Sequence, residues 1–104
     1  MGQYSTPSGR GRKYHPNGLL KVEGTFAYGK AEGFVRIYKN DGVTMIYEGN
    51  VSDGQKNGFG KVFNDDGQLV FSGNHQVFAS KRSKRLNGIW YDNGSVIFEG
   101  AVDQ

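Results

Sequence analysis

The sequence predicts an all-β protein folded as a single-layer antiparallel meander, and three observations predict it. The chain has 104 residues, enough for one small domain, and contains 17 glycines but only 2 prolines. Aromatic residues make up 13% of it, which favours strands. Asn-Gly and Asp-Gly pairs recur between short apolar runs, a pattern typical of β-hairpins, and no stretch shows helical periodicity.

A repeat organises most of the chain. Four segments each begin with Asn-Gly or Asp-Gly, run through apolar residues and then reach Glu-Gly or Ser-Gly. These segments occupy 17–26, 41–51, 66–75 and 93–102. Their second glycines are spaced by 25, 24 and 27 residues, at Gly24, Gly49, Gly73 and Gly100. Self-similarity at such a period predicts about four stacked hairpin units.

Turn chemistry separates the predicted strands. One set of turns places glycine after Asn or Asp, where the backbone φ must be positive, at 17–18, 41–42, 66–67 and 93–94. A second set, with Tyr28-Gly29 and Asp53-Gly54, lies at the other strand ends. Long strands are predicted at roughly 19–28, 43–52, 68–78 and 95–102. Shorter return strands are predicted at roughly 34–39, 59–64 and 89–91, with an extra edge strand at 12–15.

The two-residue period of a strand assigns the side chains to two faces. Counted from the repeat glycines, one face carries four columns from the long strands. Those columns are Leu20, Met45, Leu69 and Val96; Val22, Tyr47, Phe71 and Phe98; the glycines; and Phe26, Val51, His75 and Val102. The returns are expected to add Phe34, Arg36, Tyr38, Phe59, Lys61 and Phe63. This face is the predicted core, where aromatic rings lie across the glycine backbones of neighbouring strands.

The opposite face is not cleanly polar. Its apolar positions are Ile46, Val70 and Ile97, in one row with Lys21, and Val35, Ile37 and Val62 from the returns. A sheet with apolar rows on both faces should cover the second face as well. It would do so by curling, by receiving the N-terminal tail, by dimerising or by holding another protein.

The best-preserved unit spans Tyr47 to Gly67. It reads Tyr47-Glu48-Gly49, then Gly54, Gly58-Phe59-Gly60, Phe63 and Asp66-Gly67. This string resembles a MORN repeat, and the stretch from Gly24 to Gly42 is similar to the repeats of bacterial YwqK-type antitoxins; the resemblance covers about 11–102. It implies hairpin repeats stacked into an elongated, twisted single sheet. It also implies a non-enzymatic scaffold or protein-binding role, with lipid binding proposed for some relatives and toxin neutralisation for others, and it carries over no catalytic residue.

The repeat breaks at 74–88, where NHQVFASKRSKRLNG replaces the expected turn and Gly-x-Gly. We predict a repeat domain at 11–104 with an inserted basic loop near 74–88, preceded by a flexible basic tail at 1–10. The formal charge is +3. Seven of the basic residues lie near the N-terminus or in the insertion, so the body of the domain is mildly acidic.

The sequence offers little for catalysis. It has no cysteine, which excludes thiolate chemistry and fits a reducing compartment, so we expect a cytoplasmic protein. His15 and His75 lie in different units, and His75 shares a column with apolar residues, which favours a packed imidazole over a catalytic or metal-binding one. Asp65 and Asp66 belong to a turn, and the glycines form no phosphate-binding loop. We therefore expect no enzyme, no cofactor, no metal and, without a run of about 18 apolar residues, no transmembrane segment.

These observations predict a non-enzymatic protein-binding module, an antitoxin- or inhibitor-like protein or an adaptor. Its expected contact surface comprises Ile46, Val70, Ile97, Phe78, Lys81, Arg82, Lys84, Arg85 and Trp90. The alternative is binding of an anionic ligand, a phospholipid head group or nucleic acid, through the basic segment 81–85 and the tail. The same lysines would equally serve to blunt a sheet edge. For Trp90, packing in the sheet is favoured over an exposed position in an interface. An open sheet also allows a homodimer through its edges or faces.

Overall fold

The computed structural model describes residues 9–77 and 84–103 and places them in one eight-stranded antiparallel sheet. The strands are β1 (Gly9–Tyr14), β2 (Leu20–Ala27), β3 (Lys30–Tyr38), β4 (Met45–Ser52), β5 (Gln55–Phe63), β6 (Leu69–Val77), β7 (Lys84–Asp92) and β8 (Ser95–Asp103). Neighbours in the chain are neighbours in the sheet, from β1 at one edge to β8 at the other. The predicted all-β meander of hairpins is confirmed, and the sheet is elongated, with extents of 52 × 33 × 18 Å. Within these ranges there is no helix with the length and hydropathy needed to cross a membrane.

Positive φ angles occur where the sequence predicts the turns. Three two-residue turns have positive φ at both central residues: Tyr28-Gly29 (54° and 81°), Asp53-Gly54 (55° and 80°) and Asn93-Gly94 (50° and 83°). This is the geometry of type I′ turns, whose twist matches that of the strands they join. The longer connections also contain positive-φ glycines, at 18, 42 and 67. The predicted turn positions are therefore confirmed.

Side-chain oxygens close the longer connections. The Asp41 carboxylate accepts hydrogen bonds from the Thr44 hydroxyl and from the backbone N–H groups of Thr44 and Val43. These bonds lower the pKa of Asp41 from 3.8 to about 2. In the next unit the side-chain oxygen of Asn64 accepts from the N–H groups of Asp66 and Gln68. Such local bonds define a turn without any apolar burial.

The return strands are longer than predicted, and the pairing contains bulges. β3, β5 and β7 each have nine residues, because polar residues and glycines at their starts also pair and an apolar pattern does not detect them. In four strand pairs the register shifts past one unpaired residue at the same place in the repeat: Lys21, Ile46, Val70 and Ile97. An extra residue of this kind bends its strand and changes the direction in which the neighbouring side chains point.

The register between strands corrects the predicted core face. Residues directly opposite in an antiparallel pair share a face, and Gly24 is paired with Val35 and Val22 with Ile37. The expectation that the returns turn Phe34, Arg36, Tyr38, Phe59, Lys61 and Phe63 towards the core is wrong. Phe34 and Phe59 are 45% and 54% exposed, whereas Val35 is completely buried. The physical reason is the two-residue turn, which pairs Ala27 with Lys30 and so sets which residues of the return face inward.

We call the face that carries the buried apolar residues Val22, Val35, Tyr47, Val51 and Phe71 the inner face, and the opposite one the outer face. A row of glycines crosses the inner face from β1 to β8, with Val35 in the β3 position: Gly11, Gly24, Gly49, Gly60, Gly73, Gly88 and Gly100. A Cβ built on Gly73 would lie 2.6 Å from Cα of Gly88, so the strands approach closely along this row. The sheet therefore curls towards the inner face.

Aromatic rings fill the space above the glycine row, as predicted. The Tyr47 ring from β4 lies over Gly60 in β5, where an added Cβ would be 2.5 Å from Cζ of the ring. The ring is completely buried, its hydroxyl donates to the backbone oxygen of Asn50 at 2.7 Å, and burial raises the pKa of Tyr47 to about 12. A single-layer sheet thus obtains a core by curling around Tyr47 and Val35.

The predicted inserted loop is largely strand. β6 and β7 pair without a register shift from Phe71–Trp90 to Val77–Lys84, so residues 74–77 and 84–88 lie in the sheet. The bulge that interrupts the corresponding pairs β2–β3 and β4–β5 does not occur here, and the hairpin extends further. Residues 78–83 lie outside the described ranges, as do residues 1–8 of the predicted tail, while Gly9 and Arg10 belong to β1.

Candidate functional site

The apolar row predicted as a contact surface does not form one patch. Ile46, Val70 and Ile97 are the bulge residues of β4, β6 and β8. The return strand β5 separates the first two, and β7 separates the last two. Val70, expected on the outer face, lines a pocket on the inner face, because the bulge breaks the strict alternation on which the expectation relied. Ile97 is 64% exposed on the edge strand.

The predicted basic segment is divided between the two faces. Lys84 lines the inner-face pocket, while the next residue, Arg85, is opposite Asp103. Nε of Arg85 donates to Oδ1 of Asp103 at 2.8 Å, and this bond and charge raise the pKa of Arg85 and lower that of Asp103. Phe78, Lys81 and Arg82 lie outside the described ranges.

A pocket of about 300 Å³ opens on the inner face over β5, β6 and β7. We call it the Trp90 pocket; it is lined by Lys56, Val62, Val70, Phe71, His75, Gln76, Lys84, Leu86 and Trp90. In β5 the first lining residue is Lys56 and the last is Val62, and in β7 the first is Lys84 and the last is Trp90. The pocket therefore has a cationic end and an apolar, aromatic end. Its volume is at the lower limit for small-ligand pockets and suits a few side chains of a partner.

The glycine row crosses β5, β6 and β7 between the two ends of the pocket, at Gly60, Gly73 and Gly88. The Tyr47 ring covers Gly60, and a Cβ added to Gly73 would lie 2.9 Å from Cζ of the Phe71 ring. The pocket is therefore lined by the side chains on either side of this row and not by the glycines themselves.

Packed aromatic rings form the apolar end. The ring centroids of Phe71 and Trp90 are 4.5 Å apart, and those of Trp90 and Phe98 are 5.1 Å apart. The Phe71 ring also meets the His75 ring edge-on at 5.2 Å. Contacts of this kind hold aromatic side chains in fixed orientations. The indole of Trp90 is only partly buried, so the packed array still offers a surface.

His75 forms the middle of the wall. It is only 7% exposed, and its buried Nδ1 has no hydrogen-bond partner among the residues that the structure describes. Burial lowers the pKa of His75, and a hydrogen bond to the backbone of Gly58 opposes this shift. Because burial disfavours the charged imidazolium, we assign a neutral ring to His75.

Two lysines mark the cationic end. The Lys56 ammonium lies 5.2 Å from the centroid of the Tyr47 ring. Desolvation lowers the pKa of Lys56, and the nearby charge of Lys84 lowers it further. Within the described part of the chain, neither lysine forms an ion pair with a carboxylate. An anion placed between them would relieve their mutual repulsion.

The outer face contrasts with this arrangement. Its central row alternates in charge from strand to strand, and oppositely charged residues are directly paired. Arg12 and Glu23 are 3.2 Å apart, and Arg36 and Glu48 are 2.9 Å apart. In cross-strand pairs of this kind each charge is compensated by the opposite charge of its partner. Within the described ranges, the Trp90 pocket therefore differs from this row, because its two lysines lie beside an apolar wall and form no ion pair.

The low pKa of His75 predicts a pH-dependent stability. The folded protein binds a proton at His75 more weakly than the unfolded chain does. The neutral His75 ring therefore makes its full contribution to the free energy of unfolding above pH 6.5, and this contribution decreases as the pH falls through the lower pKa of the folded protein. One proton accounts for a slope of at most about 1.4 kcal/mol per pH unit. We expect urea unfolding to show a smaller loss of stability between pH 7 and pH 5 for His75→Phe than for the unaltered chain. An equal loss in both would contradict a buried, neutral His75.

Sequence reasoning found part of this site. It selected Val70, Lys84 and Trp90. It missed Lys56, which strand pairing brings to the site, and Leu86, which lies in β7 with Lys84 and Trp90. His75 is the polar member of an otherwise apolar column, for which the sequence predicts a packed imidazole. That prediction is confirmed, since His75 is buried against the rings of Tyr47 and Phe71.

The comparisons with known proteins do not assign a function. No protein-family model, no curated protein and no solved structure matches the chain. In the ranges 9–77 and 84–103, no group of three or more His, Cys, Asp or Glu residues is placed to hold a metal ion. The geometry of the Trp90 pocket is therefore the main basis for a functional hypothesis.

Proposed function

We propose that the chain is a non-enzymatic protein-binding module, an inhibitor- or antitoxin-like protein or an adaptor, that holds its partner on the inner face at the Trp90 pocket. The observation that carries the proposal is the combination, in one cleft, of a packed aromatic wall with two lysines that form no ion pair with any carboxylate of residues 9–77 and 84–103. Aromatic side chains in partly desolvated pockets are typical anchors of protein interfaces.

The rigidity of the site supports a binding role. The lining residues project from three paired strands rather than from loops, and the rings of Phe71, Trp90 and Phe98 hold one another in place. A pre-ordered surface loses little conformational entropy when a partner binds. The resemblance of the unit Tyr47–Gly67 to MORN repeats is in line with the same role.

The alternative, binding of an anionic lipid or nucleic acid, draws support from Lys56 and Lys84. It requires a contiguous basic surface, yet Lys84 and Arg85 lie on opposite faces and Arg85 is paired with Asp103. The walls of the pocket are mainly apolar, which suits a protein segment better than a phosphate backbone.

Affinity capture from the native host, with mass spectrometry, tests the proposal. We expect the double variant Lys56→Gln and Lys84→Gln to retain at most one tenth of the partner that the unaltered chain captures, because a tenfold loss corresponds to only about 1.4 kcal/mol and bonds to charged groups contribute more. The matched control is Lys21→Gln with Lys61→Gln, which removes the same charge away from the pocket and should capture the partner normally. Equal capture by the two double variants would contradict the proposed site.

A further inference from the structure

The two ends of the Trp90 pocket restrict the chemistry of its occupant. We propose, on the basis of the proposed protein-binding function, that the pocket binds an acidic–aromatic peptide segment of the partner. A carboxylate of that segment lies between Lys56 and Lys84, and a large apolar side chain packs against Phe71 and Trp90. Neither the repeat pattern nor the comparisons assign such a ligand.

The length of the pocket favours a peptide over a single small ion. Lys84 and Trp90 are six residues apart in β7, which places their Cα atoms about 20 Å apart at the usual rise of a strand. Their long side chains shorten this gap, but a bare anion at the lysines would still leave the aromatic end empty. An acidic and an aromatic residue three positions apart in an extended peptide span about 10 Å. Such a peptide can occupy both ends at once.

The lysines also favour a charge that is accompanied by apolar surface. The pKa of Lys56 is already lowered by desolvation and by Lys84, so a carboxylate brought near them is attracted to two cations in a partly apolar setting. A free inorganic anion would gain the same attraction but would lose its hydration without any apolar contact in return. We therefore expect inorganic phosphate to bind much more weakly than the peptide.

The protein contains one tryptophan, and that residue lines the pocket, so its fluorescence reports directly on occupancy. The probes are three peptides without tryptophan: acetyl-Asp-Gly-Gly-Phe-amide, the same peptide with Asn for Asp, and the same peptide with Ala for Phe. We expect the Asp–Phe peptide to change the emission saturably and to bind at least tenfold more tightly than either of the other two. Phenylacetate and inorganic phosphate should bind at least tenfold more weakly than the Asp–Phe peptide.

Variants identify the groups responsible. Lys56→Gln with Lys84→Gln should weaken the Asp–Phe peptide at least tenfold and leave the Asn peptide unchanged, while Lys21→Gln with Lys61→Gln should change neither. Lys21, Lys56 and Lys84 are exposed and Lys61 is half-buried, and circular dichroism confirms that each variant is folded. If only the pocket variant loses the preference for the Asp peptide over the Asn peptide, the carboxylate is assigned to Lys56 and Lys84.

Several outcomes would overturn the inference. Equal affinity for the Asp and Asn peptides would exclude a carboxylate subsite, and equal affinity for phenylacetate or phosphate would identify a small-anion site instead. These results are separable from failure of the proposed function. If capture of the host partner depends on Lys56 and Lys84 while the peptides show no preference, the protein-binding function stands and the inference is wrong. If the peptides discriminate but do not displace a captured partner, the pocket is not where that partner binds.

Discussion

Replacing Tyr47 with alanine is expected to lower the free energy of unfolding by about 3–5 kcal/mol, the usual range for removing a large buried aromatic side chain. Tyr47 is completely buried and belongs to the same cluster as Val22, Val35 and Val51. In a single-layer sheet no second layer can move in to fill the cavity. Urea unfolding followed by far-ultraviolet circular dichroism measures the change, and the unaltered chain provides the reference.

The conservative variant Tyr47→Phe distinguishes the contribution of the Tyr47 ring to stability from that of its hydroxyl. It keeps the aromatic packing and removes only the hydrogen bond to the backbone oxygen of Asn50, so a cost of about 1 kcal/mol is expected. If Tyr47→Ala cost no more than Tyr47→Phe, the ring would not be the centre of the core, and the account of a sheet curled around it would be wrong.

Replacing Gly60 with alanine is expected to be the other severe change, with a cost of about 3 kcal/mol, at the upper end of what overpacking usually produces. The new Cβ would lie 2.5 Å from Cζ and 2.6 Å from Cε1 of the Tyr47 ring. That ring is buried and cannot swing away without exposing the core. The measurement is again urea unfolding, now with the control variant Gly54→Ala.

Gly54 is the matched control because an added Cβ there meets nothing within 4 Å, although φ is +80°. The turn strain alone predicts a cost of about 1–2 kcal/mol. In the Tyr47→Ala background, Gly60→Ala should cost less than about 1 kcal/mol, since the ring that it meets is gone. If the losses of stability from Gly60→Ala and Tyr47→Ala were additive, the contact between Gly60 and the Tyr47 ring would be contradicted, because residues in contact normally show a coupling energy of about 0.5–3 kcal/mol.

The fold was largely predictable because its determinants are local. Positive φ at Gly18, Gly42, Gly67 and Gly94 follows from Asn-Gly and Asp-Gly chemistry, and the repeat spacing orders the hairpins. The faces of the return strands were not predictable from alternation alone. Alternation shows that Phe34 and Val35 point in opposite directions but does not show which of them faces Gly24. The pairing across the type I′ turn decides that question.

The site was predictable only in part for a related reason. Trp90 and Lys84 are conspicuous in the sequence, whereas Lys56 is one of many surface lysines until β5 and β7 are placed on either side of β6. Four bulges then move residues such as Val70 away from the face that strict alternation assigns. Bulges of this kind have no clear residue signature here, since Lys21, Ile46, Val70 and Ile97 share only their place in the repeat.

The central claim, that a partner protein binds on the inner face, is tested most directly by photo-crosslinking from two adjacent positions of β7. Leu86 lines the Trp90 pocket, while Asn87 is exposed on the outer face, opposite Asn74 and Ala101. A photoreactive amino acid is introduced at one position or the other, and the protein is irradiated in an extract of the native host. The account predicts a crosslinked partner from position 86 and none from position 87. A partner crosslinked from position 87 but not from position 86 would place the interface on the outer face and contradict the account.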